Sequence, residues 1–207
     1  GVFTGDEKKQ SFDKIRLTVG SLDKPVIKAS GTARTTLPLG TRVEAKFDVA
    51  AAEVIKAFTG KLKPDNLGRL QGSINASELD GSWGIEQINL VSAHTELYQL
   101  HIDGSVGGLK MHDQVKLRTE LEVTDPAALG AQFGIDLTGF GDYKTKGELS
   151  GNKNQLSYQG KTHIGRIESD MELTASLSGD KPHLQGKLTV PVLYLSDIGI
   201  KQKIHVQ

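Results

Sequence analysis

From position 98 the chain reads Tyr98-Gln-Leu-His-Ile-Asp-Gly-Ser-Val106. Tyr98, Leu100, Ile102 and Val106 share one parity, and Gln99, His101, Asp103 and Ser105 share the other. Successive side chains of a strand point to opposite sides, so this period of two makes a strand with one apolar and one wet face. The pattern recurs on both sides of this stretch. Val115, Leu117, Leu121 and Val123 alternate with Lys116, Arg118, Glu120 and Glu122; Ile15, Leu17 and Val19 alternate with Arg16 and Thr18; Met171, Leu173, Ala175 and Leu177 alternate with Glu172, Thr174 and Ser176. Weaker runs at 26–34, 42–49, 68–77, 85–92, 143–150, 156–164 and 184–194 bring the count to about eleven strands. Asp80-Gly81, Gly107-Gly108, Gly151-Asn152 and Gly179-Asp180 read as hairpin turns. Short loops between alternating strands predict sequential antiparallel pairing, an up-and-down meander.

Composition narrows the function. The 25 basic and 25 acidic residues of the 207 cancel, and the sequence pI of about 7.2 argues against a phosphate-binding nucleic-acid partner. The absence of cysteine excludes disulfides, thiolate metal sites and thiol nucleophiles, and is compatible with a periplasmic location. No apolar run approaches the roughly 18–20 residues of a membrane helix, and no signal-peptide core opens the sequence. Hydrophobic residues are 37% and aromatics only 5%, against 24 glycines, so small residues must supply much of any core.

Two short segments have helical spacing. Ala51, Val54, Ile55 and Phe58 form one stripe of a helix over about 50–59. Near 125–133, Asp125 offers an N-cap carboxylate, Pro126 suits the first helical position, and Leu129 and Phe133 stack one turn apart. Each helix follows a strand and precedes a strand that begins with glycine, at Gly68 and Gly141. Leu188–Gly199 occupies the same slot a third time, giving weak repeat units at about 11–67, 68–140 and 141–207 within a single elongated β domain, 1–207.

Two short helices cannot cover the apolar side of so large a sheet, which must fold as a sandwich, close as a barrel or curl into a trough. Inward positions include many small residues: Gly72, Ala76, Gly104, Thr119, Thr145, Gly147, Gly160, Thr162, Ala175 and Gly186. Either they leave room for a long apolar ligand, or the glycines mark bulges and twist. In the first case the groove is lined by Leu17, Val19, Phe47, Val49, Leu100, Ile102, Leu117, Leu121, Val123, Leu173, Leu177, Leu188 and Val190, shielding acyl chains while headgroups stay in water. In the second, the chain is a filled β-sandwich, a structural or protein-interaction module of an envelope or surface protein with no ligand. A membrane barrel lacks support, because the aromatics form no girdles and the helices interrupt the meander.

The chemistry-bearing residues form no motif. His101 lies on a wet face, and His94, His112, His163, His183 and His205 have no second ligand at metal spacing. Gly179–Lys187 departs from a phosphate loop by its glycine spacing, by Leu188 where Ser or Thr is needed, and by Pro182. No nucleophile elbow occurs, and Asn75-Ala-Ser77 is an acceptor triplet of the kind that arises by accident. The expectation is a non-enzyme without cofactor or metal.

Four stretches resemble the AsmA family and, by extension, AsmA/TamB-like envelope proteins: Tyr143–Gly151, Gln155–Gly165, Ile167–Gly179 and Pro182–Val190. Pro182-His-Leu184-Gln-Gly186-Lys-Leu188 matches the family's Pro-x-Leu-x-Gly-x-Leu strand, followed by Leu193-Tyr-Leu195; residues 68–134 and 11–59 echo it more loosely. The resemblance implies a periplasmic β-trough with an apolar concave face, taking part in outer-membrane assembly or lipid homeostasis by carrying a phospholipid or other acyl lipid. It also implies envelope protein partners, and an inner-membrane anchor in a longer chain of which these 207 residues are a fragment.

Overall fold

The computed structural model describes residues 1–21, 23–59, 67–79, 81–107, 114–178 and 183–200. Twelve strands form one antiparallel sheet in chain order: β1 (Val2–Gly5), β2 (Lys9–Gly20), β3 (Pro25–Thr36), β4 (Gly40–Ala50), β5 (Arg69–Leu79), β6 (Ser82–Ala93), β7 (Tyr98–Val106), β8 (Val115–Val123), β9 (Tyr143–Gly151), β10 (Gln155–Ile164), β11 (Ile167–Ser176) and β12 (His183–Thr189). Helix α1 (Ala51–Thr59) follows β4, α2 (Pro126–Gln132) follows β8, and a 3-10 turn at Leu195–Asp197 follows β12. The meander and both helices match the sequence reading. The strand it lacks is β1, four residues too short to show a period. The last strand stops at Thr189 rather than 194, where the segment that holds the 3-10 turn begins. Asp80, Gly108, Gly179 and Asp180 of the expected turns, and the side chain of Phe58, lie outside what is described.

The sandwich alternative is not what forms. The order is a single open sheet, and among the described residues β1 and β12 do not pair, so it is not a closed barrel either. A filled sandwich would bury two inner faces; here the buried hydrophobic residues are Ala51, Leu67, Leu70, Ala76, Tyr98, Val123 and Ile167, most of them at one end of the sheet.

That end is fixed by counting. Each helix or turn follows the fourth, eighth or twelfth strand, so all three emerge at the same strand ends. There Ala51, Leu67, Leu70, Tyr98 and Val123 form the core, with Val54 and Ile55 of α1 and Leu129 of α2, with Phe133 just after it, packed against it. Asp125 caps α2 by accepting from the Ala128 amide at 2.9 Å, an arrangement worth about 1 kcal/mol. The Tyr98 hydroxyl donates to the Leu67 carbonyl at 2.8 Å, tying β7 to the segment before β5, and burial pushes its pKa up.

The segment after β12 turns back along the same end. The Asp197 carbonyl accepts from the Gly141 amide at 2.9 Å, and Ile198 bridges to Phe140. Its carboxylate takes the Arg166 guanidinium in a two-pronged pair, Nη2 to Oδ1 at 2.8 Å and Nε to Oδ2 at 3.0 Å, plus the Arg166 amide at 2.7 Å. Tyr194 lies under the guanidinium, 4.3 Å from its ring centre. These bonds to Arg166 hold the Asp197 carboxyl well below the usual carboxylate range.

The glycines on the apolar side do not leave room. A Cβ on Gly160 would lie 2.6 Å from the Tyr158 hydroxyl, on Gly147 2.6 Å from the same ring, on Gly72 2.8 Å from the Phe47 ring, and on Gly186 2.7 Å from Leu173 Cδ2. Large side chains therefore lie flat in the space these glycines vacate. At Gly31, Gly72, Gly104 and Gly147 the neighbouring backbone closes in as well, with a Cβ only 2.2 Å from the Glu44 and Asn89 carbonyls, 2.0 Å from that of Lys116 and 2.4 Å from that of Gln159.

Gly160→Ala should cost about 1–3 kcal/mol in urea unfolding by overpacking, and less in a Tyr158→Leu background where the ring is gone. An equal cost in both backgrounds would contradict the packing of Tyr158 over Gly160. Asp197→Ala should speed amide exchange at Asp197 and Ile198 while leaving β3 and β4 unchanged. Because the folded pKa of Asp197 is depressed, its contribution is complete above the ordinary carboxylate range and is lost only as pH falls through the lower folded value. Acid-induced release of this segment near pH 5 would contradict that.

Candidate functional site: an uncovered apolar face

Antiparallel partners share a face, so the register traces rows of side chains across the sheet. One row runs Val19, Ile27, Val49, Leu70 through β2–β5 and resumes at Leu100, Leu121, Thr145, Thr162, Ser169. The next is Leu17, Ala29, Phe47, Gly72, Leu90, Ile102, Thr119, Gly147, Gly160, Met171, Leu188. A third contains Ile15, Gly31, Ala45, Ile74, Ile88, Gly104, Leu117, Leu149, Tyr158, Leu173 and Gly186. A fourth contains Phe12, Ala33, Val43, Ala76, Ile85, Val106, Val115, Gly151, Leu156, Ala175 and Leu184. None of these four rows carries a charge, whereas the row beyond them at the hairpin edge contains Thr35, Thr41, Glu78 and Trp83.

Two bulges keep the rows in phase. Between Phe12 and Ile15, β2 advances three residues while β3 advances two, with Lys14 at φ 55; between Ile85 and Ile88, β6 does the same against β7. Without the extra residue, every side chain beyond the bulge would change face.

Eleven of the thirteen expected lining residues lie within strands on this face: Leu17, Val19, Phe47, Val49, Leu100, Ile102, Leu117, Leu121, Val123, Leu173 and Leu188. Leu177 and Val190 lie just past the ends of β11 and β12. Sequence reading missed Ile74, Ile85, Ile88, Leu90, Leu149 and Leu156; the three in β6, Ile85, Ile88 and Leu90, flank its bulge, which hides their alternation. At the sheet margins the face is open to solvent, with Leu17 54%, Leu188 61% and Leu184 71% exposed.

Several hydroxyls on this face are bonded inside the sheet. Thr145 Oγ1 sits 3.0 Å from both the Tyr158 and Thr162 hydroxyls and 3.3 Å from the Lys161 carbonyl. One donor assignment closes the set: Tyr158 and Thr162 donate to Thr145, which donates to Lys161. Ser169 donates to the Thr162 carbonyl at 3.2 Å, and Thr119 to that of Gly147 at 3.4 Å.

The opposite face is charged and paired. Lys144 meets Glu122 at 2.8 Å, Lys146 meets Glu120, Arg118 meets Asp103 at 3.7 Å, and Arg69 holds Asp48 while donating to the Pro25 carbonyl at 3.0 Å. The bond from Lys146 draws the Glu120 pKa down, and that from Glu122 draws Lys144 up. Burial pushes Asp48 up, but the bonds from Arg69 and Gln71 outweigh it, and its pKa is lowered. His101 is on this side, as the alternation requires, 3.1 Å from Asn89. Shallow depressions open between these charged rows, one lined by His101, Glu120, Glu122, Lys144, Lys146 and His163. Among the described residues no three His, Asp or Glu side chains could hold a metal ion, and no helix is long and apolar enough to cross a membrane.

No family model, curated protein or solved structure matches the chain.

Tyr98→Phe should lower stability by about 1 kcal/mol in denaturant unfolding, since it strands the Leu67 carbonyl at the α1 core. An unchanged midpoint would mean that the hydroxyl contributes nothing to closing this end.

Proposed function

We propose that this sheet is a lipid-handling segment of a Gram-negative cell-envelope protein, and that its apolar face carries the acyl chains of a phospholipid or similar lipid. One observation supports the reading above others: rows free of charge run across the sheet, and its two short helices cover only one end of them. Water is a poor neighbour for such a face, and each methylene withdrawn onto it contributes about 0.8 kcal/mol. The hydroxyls add to the case, because those bonded within the sheet offer a lipid no fixed polar anchor and leave it able to slide. A twelve-stranded open sheet also exceeds the roughly ten strands that commonly stay open without curling, which favours a trough with the apolar side concave. Resemblance of 143–195 to AsmA/TamB-like proteins supplies the setting: the periplasm, an inner-membrane anchor in the parent chain, a part in outer-membrane assembly, and no catalysis.

A photo-crosslinking residue at Leu117 should yield lipid adducts, whereas one at the neighbouring Arg118, on the paired polar face, should yield few. Equal yields at the two positions would overturn the reading. Leu117→Asp should abolish co-purification of lipid while leaving the β-sheet circular-dichroism spectrum intact, because Leu117 lies outside the buried core to which Leu70 belongs. Retention of lipid by the folded variant would count equally against it.

A further inference from the structure

We propose, building on the acyl-chain reading above, that lipids lie along the strands with their headgroups over the hairpin edge and their methyl ends toward the helices. The two long edges of the apolar face differ. From β4 to β11 the helix edge is sealed: Ala51, Leu67, Leu70, Tyr98 and Val123 are buried under α1 and α2. At β10–β11, Thr162, Ile167 and Ser169 are only 5%, 3% and 8% exposed. Ile167 has no partner on β12, whose register begins at Asp170, and its chain neighbour Arg166 binds Asp197 of the segment after β12.

Among the described residues the hairpin edge has no such cover. Its connections at residues 37–39 and 152–154 are short, whereas those at 107–114 and 177–182 lie partly outside the described residues. Leu37, Leu39 and Trp83 stand 59%, 73% and 58% exposed there. Trp83 is the only tryptophan, two residues before Ile85 and thus on the apolar side at the outer end of its strand. Indole, with an apolar body and one N–H donor, favours the boundary between acyl chain and headgroup.

Dimensions fit this orientation. Four rows two residues apart, at about 3.3 Å per residue, give an apolar width of roughly 20 Å, enough for the acyl length of one leaflet, half of a hydrocarbon core of about 30 Å. A polar headgroup at the helix edge would have to enter the packed core around Tyr98 and Val123. Over the hairpin edge it stays in water, so the site should accept acyl lipids of varied headgroup.

The single tryptophan makes the test direct. Phosphatidylcholine carrying a nitroxide near the glycerol, or else at the methyl end of one acyl chain, is bound to the 207-residue chain and Trp83 emission is read. The glycerol-proximal label should quench several-fold more. In a Trp83→Phe, Leu121→Trp variant, which moves the reporter toward the helix edge, the methyl-end label should quench more. Equal quenching by both labels, or the reverse order at Trp83, overturns the orientation while leaving acyl contact with the face intact. Absence of quenching by either label at both reporters removes the acyl-chain reading itself, and the orientation with it.

Discussion

Everything in this molecule depends on the inheritance of a face through antiparallel register. A strand decides which of its side chains are apolar; its neighbour must present the same choice at the partner position, or the face is lost from there onward. Phe47 hands the apolar side to Gly72, Gly72 to Leu90, Leu90 to Ile102 and Ile102 to Thr119. A slip of one residue anywhere would put a charged row such as Asp103, Arg118, Glu148 among these side chains. The bulges in β2 and β6 are where the sequence departs from strict alternation and the fold absorbs the departure. Each lies two strands before the strand that leads into a helix, at β2 and β6, whereas β10, two strands before β12, pairs without interruption.

The four-strand count has a second consequence. Because an even number of strands separates α1 from α2 and α2 from the turn at Leu195–Asp197, every non-strand element is delivered to one edge. Apolar surface there is buried intramolecularly, and Leu70, Tyr98 and Val123 stabilise the fold. The same residue types a few positions along the strands, such as Leu117 and Leu149, contribute row-to-row contact but lie outside that core and are only partly buried. Fold and site thus draw on one continuous face, divided along its width.

Much of this was legible in the sequence because period-two alternation is a local signal. Tyr98–Val106 and Val115–Val123 announce their faces without help, and Asp125-Pro126 announces a helix start that the Asp125–Ala128 bond realises. Three features were not legible, each for a physical reason. Ile85-Glu-Gln-Ile88 reads as broken alternation because a bulge is defined by the partner strand, not by the strand itself. The glycines read as empty space because the chain does not say where a ring will lie; only the register brings Tyr158 over Gly147 and Gly160, and Phe47 over Gly72. The Arg166–Asp197 pair joins residues 31 apart in sequence, and no spacing rule links a hairpin turn to a segment beyond the next two strands.

The filled glycines also change what kind of binding surface this can be. A face with vacant notches would select ligands by shape, holding branches or kinks at fixed positions. With rings and leucines laid into those positions, and with Thr145, Tyr158 and Thr162 bonded to one another, the surface is nearly featureless along its rows. Affinity for an acyl chain then grows with contact area and changes little as the chain moves from one strand to the next, since each step exchanges one apolar neighbour for another. Selectivity has to arise across the strands instead, where a sealed edge faces an open one. If acyl lipids occupy the face as proposed, a sheet built this way trades recognition along its length for orientation across its width, which suits passage of a lipid better than its storage.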